Sequence, residues 1–292
     1  MPELPEVQTM VGDLKRRIVG RKIIGLWCDF PRSLGGANVA GLGRIVRGAR
    51  ISGLERFGKN VVIRLIGRGN KPWRLIIHPK MTGHLLMGKW KKSKEGWMSA
   101  SGGHLAEKVN QFIHFLLKLS RGEMLGLSDV RKFAKITLEE EKEGYPSSLD
   151  KLGPDPTSDR FNREDLARIL HGKKGKIKQV LMDQAVLSGI GNIYSDEVLW
   201  LAKIDPLRRA DSIESRELKL LYASIRRILG KAINLRGSSV NNYRDIRGRK
   251  GKYAEERLVY RRTGDKCPRC GAGIRRIKIG GRSAHFCPSC QK

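Results

Sequence analysis

Four cysteines stand in two knuckles, Cys267-Pro-Arg-Cys270 and Cys287-Pro-Ser-Cys290, with sixteen residues between them. Two thiolates two residues apart grip one ion from a single tight turn, and a second such turn completes the tetrahedron that zinc prefers. A four-thiolate site is closed to substrate, so its expected role is structural. Two disulfides of a secreted protein would use the same cysteines. The knuckle spacing, and a first segment Met-Pro-Glu-Leu-Pro-Glu with no basic region, favour the metal. The stretch that the ion would staple, Arg261 to Lys292, holds nine Lys or Arg against the single acid Asp265. A second group able to do chemistry is Ser188-Gly-Ile-Gly191, preceded by Lys173, Lys174, Lys176 and Lys178. Two glycines in four residues permit a reversal that aims backbone N–H groups and a helix N-terminus at a phosphate. The same connector also serves two helices that merely pack closely.

The charge of the whole chain points the same way. Lys and Arg number 59 against 29 Asp and Glu, a net charge of +30 and a pI near 10.4. That excess exceeds ordinary solubility needs, and a polyanion is its natural partner. It is spread along the chain as a nucleic-acid track would be. No run of eighteen apolar residues and no polybasic tail beside an anchor supports a membrane partner. The expected location is the cytoplasm, beside nucleic acid.

The elements that must hold these residues are legible in outline. Val7, Met10, Val11, Leu14 and Ile18 make one helical stripe over Pro5 to Ile18. Short β-type runs follow at Lys22 to Phe30, Arg50 to Glu55, Asn60 to Ile66, Trp73 to His78 and Gln111 to Leu119. This predicts an α+β protein with an N-terminal β-sandwich, residues 1–138, behind a leading α-helix. Residues 139–159, charged and holding Pro146, Gly153, Pro154 and Pro156, read as a linker. Helical periodicity then covers Lys176 to Leu187, Asn192 to Ala202 and Glu217 to Leu235, in an expected domain over 160–258 ahead of the metal module, 259–292. Lys89 to Ala106 reads as a long Lys- and Gly-rich mobile loop, and Cys28 as a buried hydrophobe.

Seven segments, in order, resemble the formamidopyrimidine-DNA glycosylase and endonuclease VIII family. They are Met1-Pro-Glu-Leu-Pro-Glu-Val7, Gly58-Lys59-Asn60, Met81-Thr-Gly83, Asp129-Val-Arg-Lys-Phe133, Leu152-Gly-Pro-Asp-Pro156, Gly189-Ile-Gly-Asn-Ile-Tyr194, and Gly281-Arg-Ser283 leading into Phe286-Cys287-Pro-Ser-Cys290-Gln291. The resemblance implies a helical domain of the helix-two-turn-helix type ahead of a zinc-finger β-hairpin. It implies a monomer that flips an oxidised base out of double-stranded DNA, breaks its glycosidic bond and cuts the strand at the abasic sugar by β,δ-elimination.

What the family does with the matching residues is carried over position by position. With Met1 removed, Pro2 presents a secondary amine with a usable neutral fraction at pH 7, which can attack the sugar C1′ and form a Schiff base. Glu3 is placed to pass a proton, and Glu6 matches a second, supporting acid. Without the family, Pro2-Glu3 would read as a frayed end and Lys59 as a solvated turn charge. With it, Lys59 becomes a proton donor or phosphate contact. Arg282 matches the arginine that grips phosphates beside the lesion and assists the second elimination. Lys174 and Asn192 match DNA phosphate contacts.

Met81, Arg131 and Phe133 match the set that fills the hole left by the flipped base, although Met81 and Phe133 would serve equally as core. Arg131 and Leu4 favour the branch acting on oxidised purines, 8-oxoguanine and formamidopyrimidines, over the pyrimidine-acting branch. A catalytically silent zinc-ribbon DNA binder would share the charge and the cysteines but have no use for Pro2-Glu3 or Lys59. The chain departs from the family at Gln8, at Lys80 and Ala134 where Gly is common, and at Phe112-Ile-His114, where relatives carry His-x-His. His114 is the candidate replacement for the DNA-contacting histidine. Lesion-capping contacts are expected within Ser238 to Lys252, with Asn241, Asn242 and Tyr243 as candidates.

Overall fold

Leu4–Ile18 forms α1, with Val7, Met10, Val11, Leu14 and Ile18 turned inward as the stripe requires. The computed structural model describes the chain apart from Gly36, Glu95, Glu143, Tyr145, Pro146 and Asn241. After α1 come β1 (Ile23–Cys28), α2 (Val39–Val46), β2 (Arg50–Phe57), β3 (Asn60–Ile66), β4 (Pro72–His78), β5 (His84–Gly88), β6 (Trp90–Ser93), β7 (Gly96–Ser99), β8 (Ile113–Leu119), β9 (Met124–Ser128) and β10 (Lys135–Glu140). Two four-stranded antiparallel sheets, ordered β1-β8-β9-β5 and β10-β4-β3-β2, share one apolar core with α1. The expected sandwich is therefore present. α1 packs against β2 and β3, and its Gln8 accepts from Arg56 of β2, next to the β2–β3 turn that carries Lys59.

Sequence punctuation misled at Lys89 to Ala106. The segment is not the expected loop: β6 and β7 pair as a hairpin, with Trp90 opposite Ser99 and Lys92 opposite Trp97. Trp90 and Trp97 are buried with Leu86, Ile113 and Leu116, and Trp27 meets Trp97 edge-on at 5.6 Å. Each buried tryptophan contributes on the order of 2–3 kcal/mol, which outweighs the turn-forming tendency of the intervening Lys and Gly. Cys28 is half-buried at the edge of the main core, its Sγ 4.0 Å from Ser33 Oγ.

The second part holds α3 (Arg163–Leu170), α4 (Ile177–Met182), α5 (Asn192–Ala202), α6 (Ser215–Asn234), β11 (Arg275–Ile279) and β12 (Arg282–Phe286). α4 ends at Met182, short of the expected Leu187, because residues 183–189 fold as turns whose backbone bonds return to Asp183 and Pro154. The expected linker is also partly structure. β10 runs to Glu140, and Gly153 donates to Gln184 O at 2.8 Å while Pro154 O accepts from Ser188 N at 3.0 Å. Pro146 of that linker lies outside the described residues.

Packing divides the chain into two compact units, Met1–Asp150 with Leu235–Lys252, and Lys151–Asn234 with Tyr253–Lys292. The stretch 235–252, placed with the helical domain by its position in sequence, packs with the sandwich. Buried Tyr243 and Ile246 enter the sandwich core, and Ile246 O accepts from Met87 N at 2.8 Å.

Candidate active site and nucleic-acid interface

In the sandwich unit the chemistry gathers where α1 begins. Pro2 and Glu3 are buried, Glu3 being 2% exposed at the N-cap of α1. Glu6 is buried as well, and both its oxygens are occupied by backbone donors: Oε2 by Glu3 N at 2.7 Å, Oε1 by Ser238 N at 2.6 Å. A Cβ at Gly237 would lie 2.7 Å from Glu6 Oε1, so only glycine allows this approach. Glu6 thus ties the returning 235–252 stretch to the start of the chain. Arg236 adds to the tie by bridging Asp13 of α1 and Asp245.

Lys59 sits in the β2–β3 turn and is buried, 5% exposed, unlike a solvated turn charge. Arg56 places that turn, donating from Nε to Gln8 of α1 at 2.7 Å and from Nη1 to Gly58 O at 3.2 Å. Gln8, where the family often has an acid, is therefore the neutral acceptor that docks the turn. Across the sheet, burial lowers the pKa of His78 to about 4, with the like charges of Lys80 and Lys59 adding to the effect. The ring is neutral at pH 7. Its Nδ1 accepts from Lys80 N at 2.9 Å, which leaves the proton on Nε2.

From His78 the chain turns through Lys80, at φ 55 in the left-handed region, to Met81 and Gly83. A Cβ on Gly83 would meet Pro79 O at 2.4 Å. Buried Asp129 braces this turn against the loop after β9. Its Oδ1 accepts from the Thr82 hydroxyl and from Arg131 N at 3.3 Å, and its Oδ2 accepts from Phe133 N at 2.7 Å and Ala134 N at 2.8 Å. Phe133 is 48% exposed with the Arg131 guanidinium 4.4 Å above its ring. Met81 is half-buried. An exposed aromatic held by an exposed arginine is not core packing. Asp129→Ala is expected to cost about 3 kcal/mol, since four donors lose one charged acceptor. Denaturant unfolding would measure this, and an unchanged midpoint would contradict the brace.

His114 is held by a neighbouring acid. Its Nδ1 lies 3.0 Å from both carboxylate oxygens of Asp29, and its Nε2 is buried without a partner. The side chain instead ties β8 to the end of β1. Of the capping candidates, Tyr243 is a core residue whose hydroxyl donates to Glu6 O at 3.4 Å, Asn242 is half-buried, and Asn241 lies outside the described residues.

In the helical unit, the glycine connector leads to Gly191 as the N-cap of α5, with Asn192 as its first residue and Gly189 at φ 96. Gln184 holds the connector, accepting from Gly189 N at 2.9 Å and donating to Ile190 O at 2.9 Å. Asn192 Oδ1 is buried with no partner, and Asn192 lines a cleft of about 460 Å³ with Tyr260, Arg261, Arg276, Ser283 and His285. Lys173, Lys174 and Lys176 are exposed, though none lines that cleft. Lys178 corrects the reading of the lysine group. It is 0% exposed and pairs with buried Asp196, which also accepts from His285 N and Nδ1 at 2.9 Å each. The lysine is an internal strut between α4, α5 and β12.

The four cysteines meet as expected. Their sulfurs all lie within 4.8 Å of one another, with Cys270–Cys287 at 3.5 Å and Cys267–Cys290 at 4.0 Å. A tetrahedron with zinc–sulfur arms of about 2.3 Å has edges near 3.8 Å, so the set fits one structural zinc. Trp200 donates to Cys267 Sγ at 3.4 Å, as outer partners of metal ligands do. Between the knuckles, β11 and β12 pair around Gly280 and Gly281, at φ 54 and 74, and Arg282 opens β12 in an exposed position. The chain entering this module is held by Glu197, which accepts from Leu258, Val259 and Tyr260 N at 2.8–3.0 Å. Burial pushes its carboxyl above the usual range, those hydrogen bonds opposing.

Sequence reasoning passed over Asp129, Asp196 and Glu197. Asp129 opens the segment Asp129-Val-Arg-Lys-Phe133, and an Asp two residues before a turn residue is an available signal for backbone capping. The other two sit on the inner face of α5, where spacing alone suggests an apolar residue.

Comparison with known proteins agrees with this geometry. Residues 1–136 match the formamidopyrimidine-DNA glycosylase N-terminal domain, 152–244 its H2TH domain, and 264–292 the zinc finger found in FPG and IleRS. The formamidopyrimidine-DNA glycosylase of Lactococcus lactis subsp. lactis is 39% identical over 293 residues, and that of Herpetosiphon aurantiacus 36% over 297, each comparison covering 100% of both chains. A solved structure of a mutant of Lactococcus lactis Fpg bound to a Fapy-dG-containing DNA covers 100% of both chains with a TM-score of 0.85 at 37% identity. Another, of MutM with carbocyclic 8-oxo-G-containing DNA, has a TM-score of 0.85 at 38% identity and the same coverage. The chain belongs to the formamidopyrimidine-DNA glycosylase family.

Proposed function

We propose that this DNA glycosylase of base excision repair acts on oxidised purines, 8-oxoguanine and formamidopyrimidines, and then cuts the strand as an abasic-site lyase. The observation that carries the reading is the burial in the sandwich unit of Glu3 at the start of α1 and of Lys59 in the β2–β3 turn, two ionisable groups held out of water at positions where a frayed end and a turn charge would be solvated. The relatives bound to Fapy-dG and 8-oxo-G DNA support the substrate class.

The chemistry follows from the residues. Removal of Met1 frees the Pro2 amine, whose lone pair attacks C1′ as the bond from C1′ to the base breaks. The departing base keeps that electron pair and takes up a proton. The attacking nitrogen gives up its proton, and its lone pair then forms the C=N bond as the C1′–O4′ bond breaks, Glu3 protonating the departing O4′ so that the deoxyribose opens to a Pro2 iminium. The iminium acidifies the 2′ hydrogens, so β-elimination releases the 3′ phosphate and a second elimination the 5′ phosphate. Lys59 donates a proton or a phosphate contact in these steps, and Arg282 holds phosphate. Hydrolysis of the iminium returns the free amine.

Met81, Arg131 and Phe133 fill the vacated stack, Arg131 donating to the orphaned base. Lys174 and Asn192 hold phosphates, Asn192 by donating from its side-chain amide. His114 and Glu6 have no direct role in this scheme. The protein acts as a monomer on chromosomal DNA in the cytoplasm, with zinc ordering the hairpin of Arg282.

Borohydride trapping tests the reading. A covalent adduct is expected on a duplex carrying 8-oxoguanine opposite cytosine, mapped by mass spectrometry to Pro2. A stronger adduct on a thymine-glycol duplex would move the assignment to oxidised pyrimidines. No adduct on either duplex, with DNA still bound, would leave a silent binder.

A further inference from the structure

The far end of α1 carries a feature that none of this chemistry uses. α1 has 15 residues, so its last turn lies about 22 Å from Glu3. There a cleft of about 380 Å³ is lined by Arg16, Arg17, Arg21 and Arg121, with Gly20 and Ser120 between them. Two carboxylates serve three of these four guanidinium groups. Glu123 takes Arg17 and Arg21 at 2.7 Å each, and Asp13 takes Arg16 at 2.9 Å while also pairing with Arg236. Arg121 makes no ion pair among the described residues, and Arg21 Nη1 is buried with no hydrogen-bond partner. Ser120 Oγ accepts from Lys22 N at 3.1 Å, which leaves its own proton to donate. Arg121 is held in the left-handed region at φ 71, a strained backbone for a side chain of this size.

A helix C-terminus favours cations, which accounts for Arg16 and Arg17 in the last turn. It does not account for Arg21 and Arg121, which come from the two loops that close the cleft. Like charges gathered with a desolvated, unserved donor are complementary to a bound anion, and guanidinium forks match the paired oxygens of a phosphate. The geometry points to a second phosphate-binding site here, taking backbone phosphates of nucleic acid outside the corner that holds the lesion. Such a site would anchor flanking or neighbouring DNA while the catalytic corner samples bases.

The test uses the full zinc-loaded chain and the double variant Arg16→Gln/Arg121→Gln, which spares the Glu123 pairs. Affinity for a long undamaged duplex is measured against salt, with excision from a short lesion duplex and calorimetric titration of inorganic pyrophosphate run beside it. Each lost phosphate contact should lower the slope of log affinity against log salt by about 0.9, so a drop of roughly 1–2 is expected, with excision from the short duplex unchanged. Arg121→Gly, which relieves the left-handed strain, should show about half the drop and guards against misfolding as the cause. An unchanged slope with pyrophosphate binding lost in the variant would keep the phosphate site and assign it to free polyphosphate. An unchanged slope and unchanged pyrophosphate titration overturn the proposal. The excision arm reports separately on the catalytic corner, so loss of activity there would count against that reading and not against this site.

Discussion

Glu3→Gln is expected to slow base release by about 10²–10⁴-fold in single-turnover excision, the range for loss of a positioned general acid. The amide keeps the shape of a side chain that is 2% exposed, so the fold should stand. Glu6→Gln, three residues on, should behave oppositely. Glu6 spends both carboxylate oxygens on backbone donors, Glu3 N and Ser238 N. An amide accepts through one oxygen only and turns an N–H₂ toward the other donor. That variant should lose about 1–3 kcal/mol of stability, and its rate should fall only as far as α1 shifts. If the two variants proved equally slow and equally stable, the division between an acid that moves a proton and an acid that ties the chain would be wrong.

Removing zinc should have the second large effect. A two-stranded hairpin is at best marginally stable alone in water, and structural zinc contributes about 10–16 kcal/mol to the folding of such modules. Around the knuckles the apolar support is small: Trp200, Val259, Cys267, Ile274 and Cys287. Chelation is therefore expected to release the turn that carries Arg282, weakening DNA binding and strand cutting together. Asp196 still ties His285 to α5, so the base of β12 should fray last. The sandwich shares no ligand with the metal and should keep its own heat-capacity transition. Calorimetry and strand-cutting assays on chelated protein would check both halves. Strand cutting that survived chelation unchanged would remove Arg282 from the mechanism.

Much of the architecture was legible because its determinants are local. The stripe from Val7 to Ile18 specified α1 and the knuckle spacing specified the metal set, each within a few residues of chain. The run from Asn60 to Ile66 became β3 within the same bounds. The order of motifs carried the family, since each motif is contiguous. The hairpin at Trp90–Ser99 was missed because its determinant is burial of two tryptophans against strands far away in sequence, while Lys and Gly dominate locally.

Among the site residues, the sequence by itself determined which side chains are present and, through the motifs, their order: Pro2 and Glu3 ahead of α1, Lys59 between two strands, Arg131 and Phe133 in one loop, Arg282 between the knuckles. Tertiary structure alone decided what each is attached to. It buried Lys178 against Asp196, paired His114 with Asp29, set Asp129 beneath the Met81 and Phe133 turns, and drew 235–252 back onto the sandwich through Glu6. The physical reason is one of range. Propensity, periodicity and ligand spacing act over a few residues, whereas the cost of a buried charge is met by whichever partner the fold brings near, and Glu6 and Ser238 are separated by 232 positions in the chain.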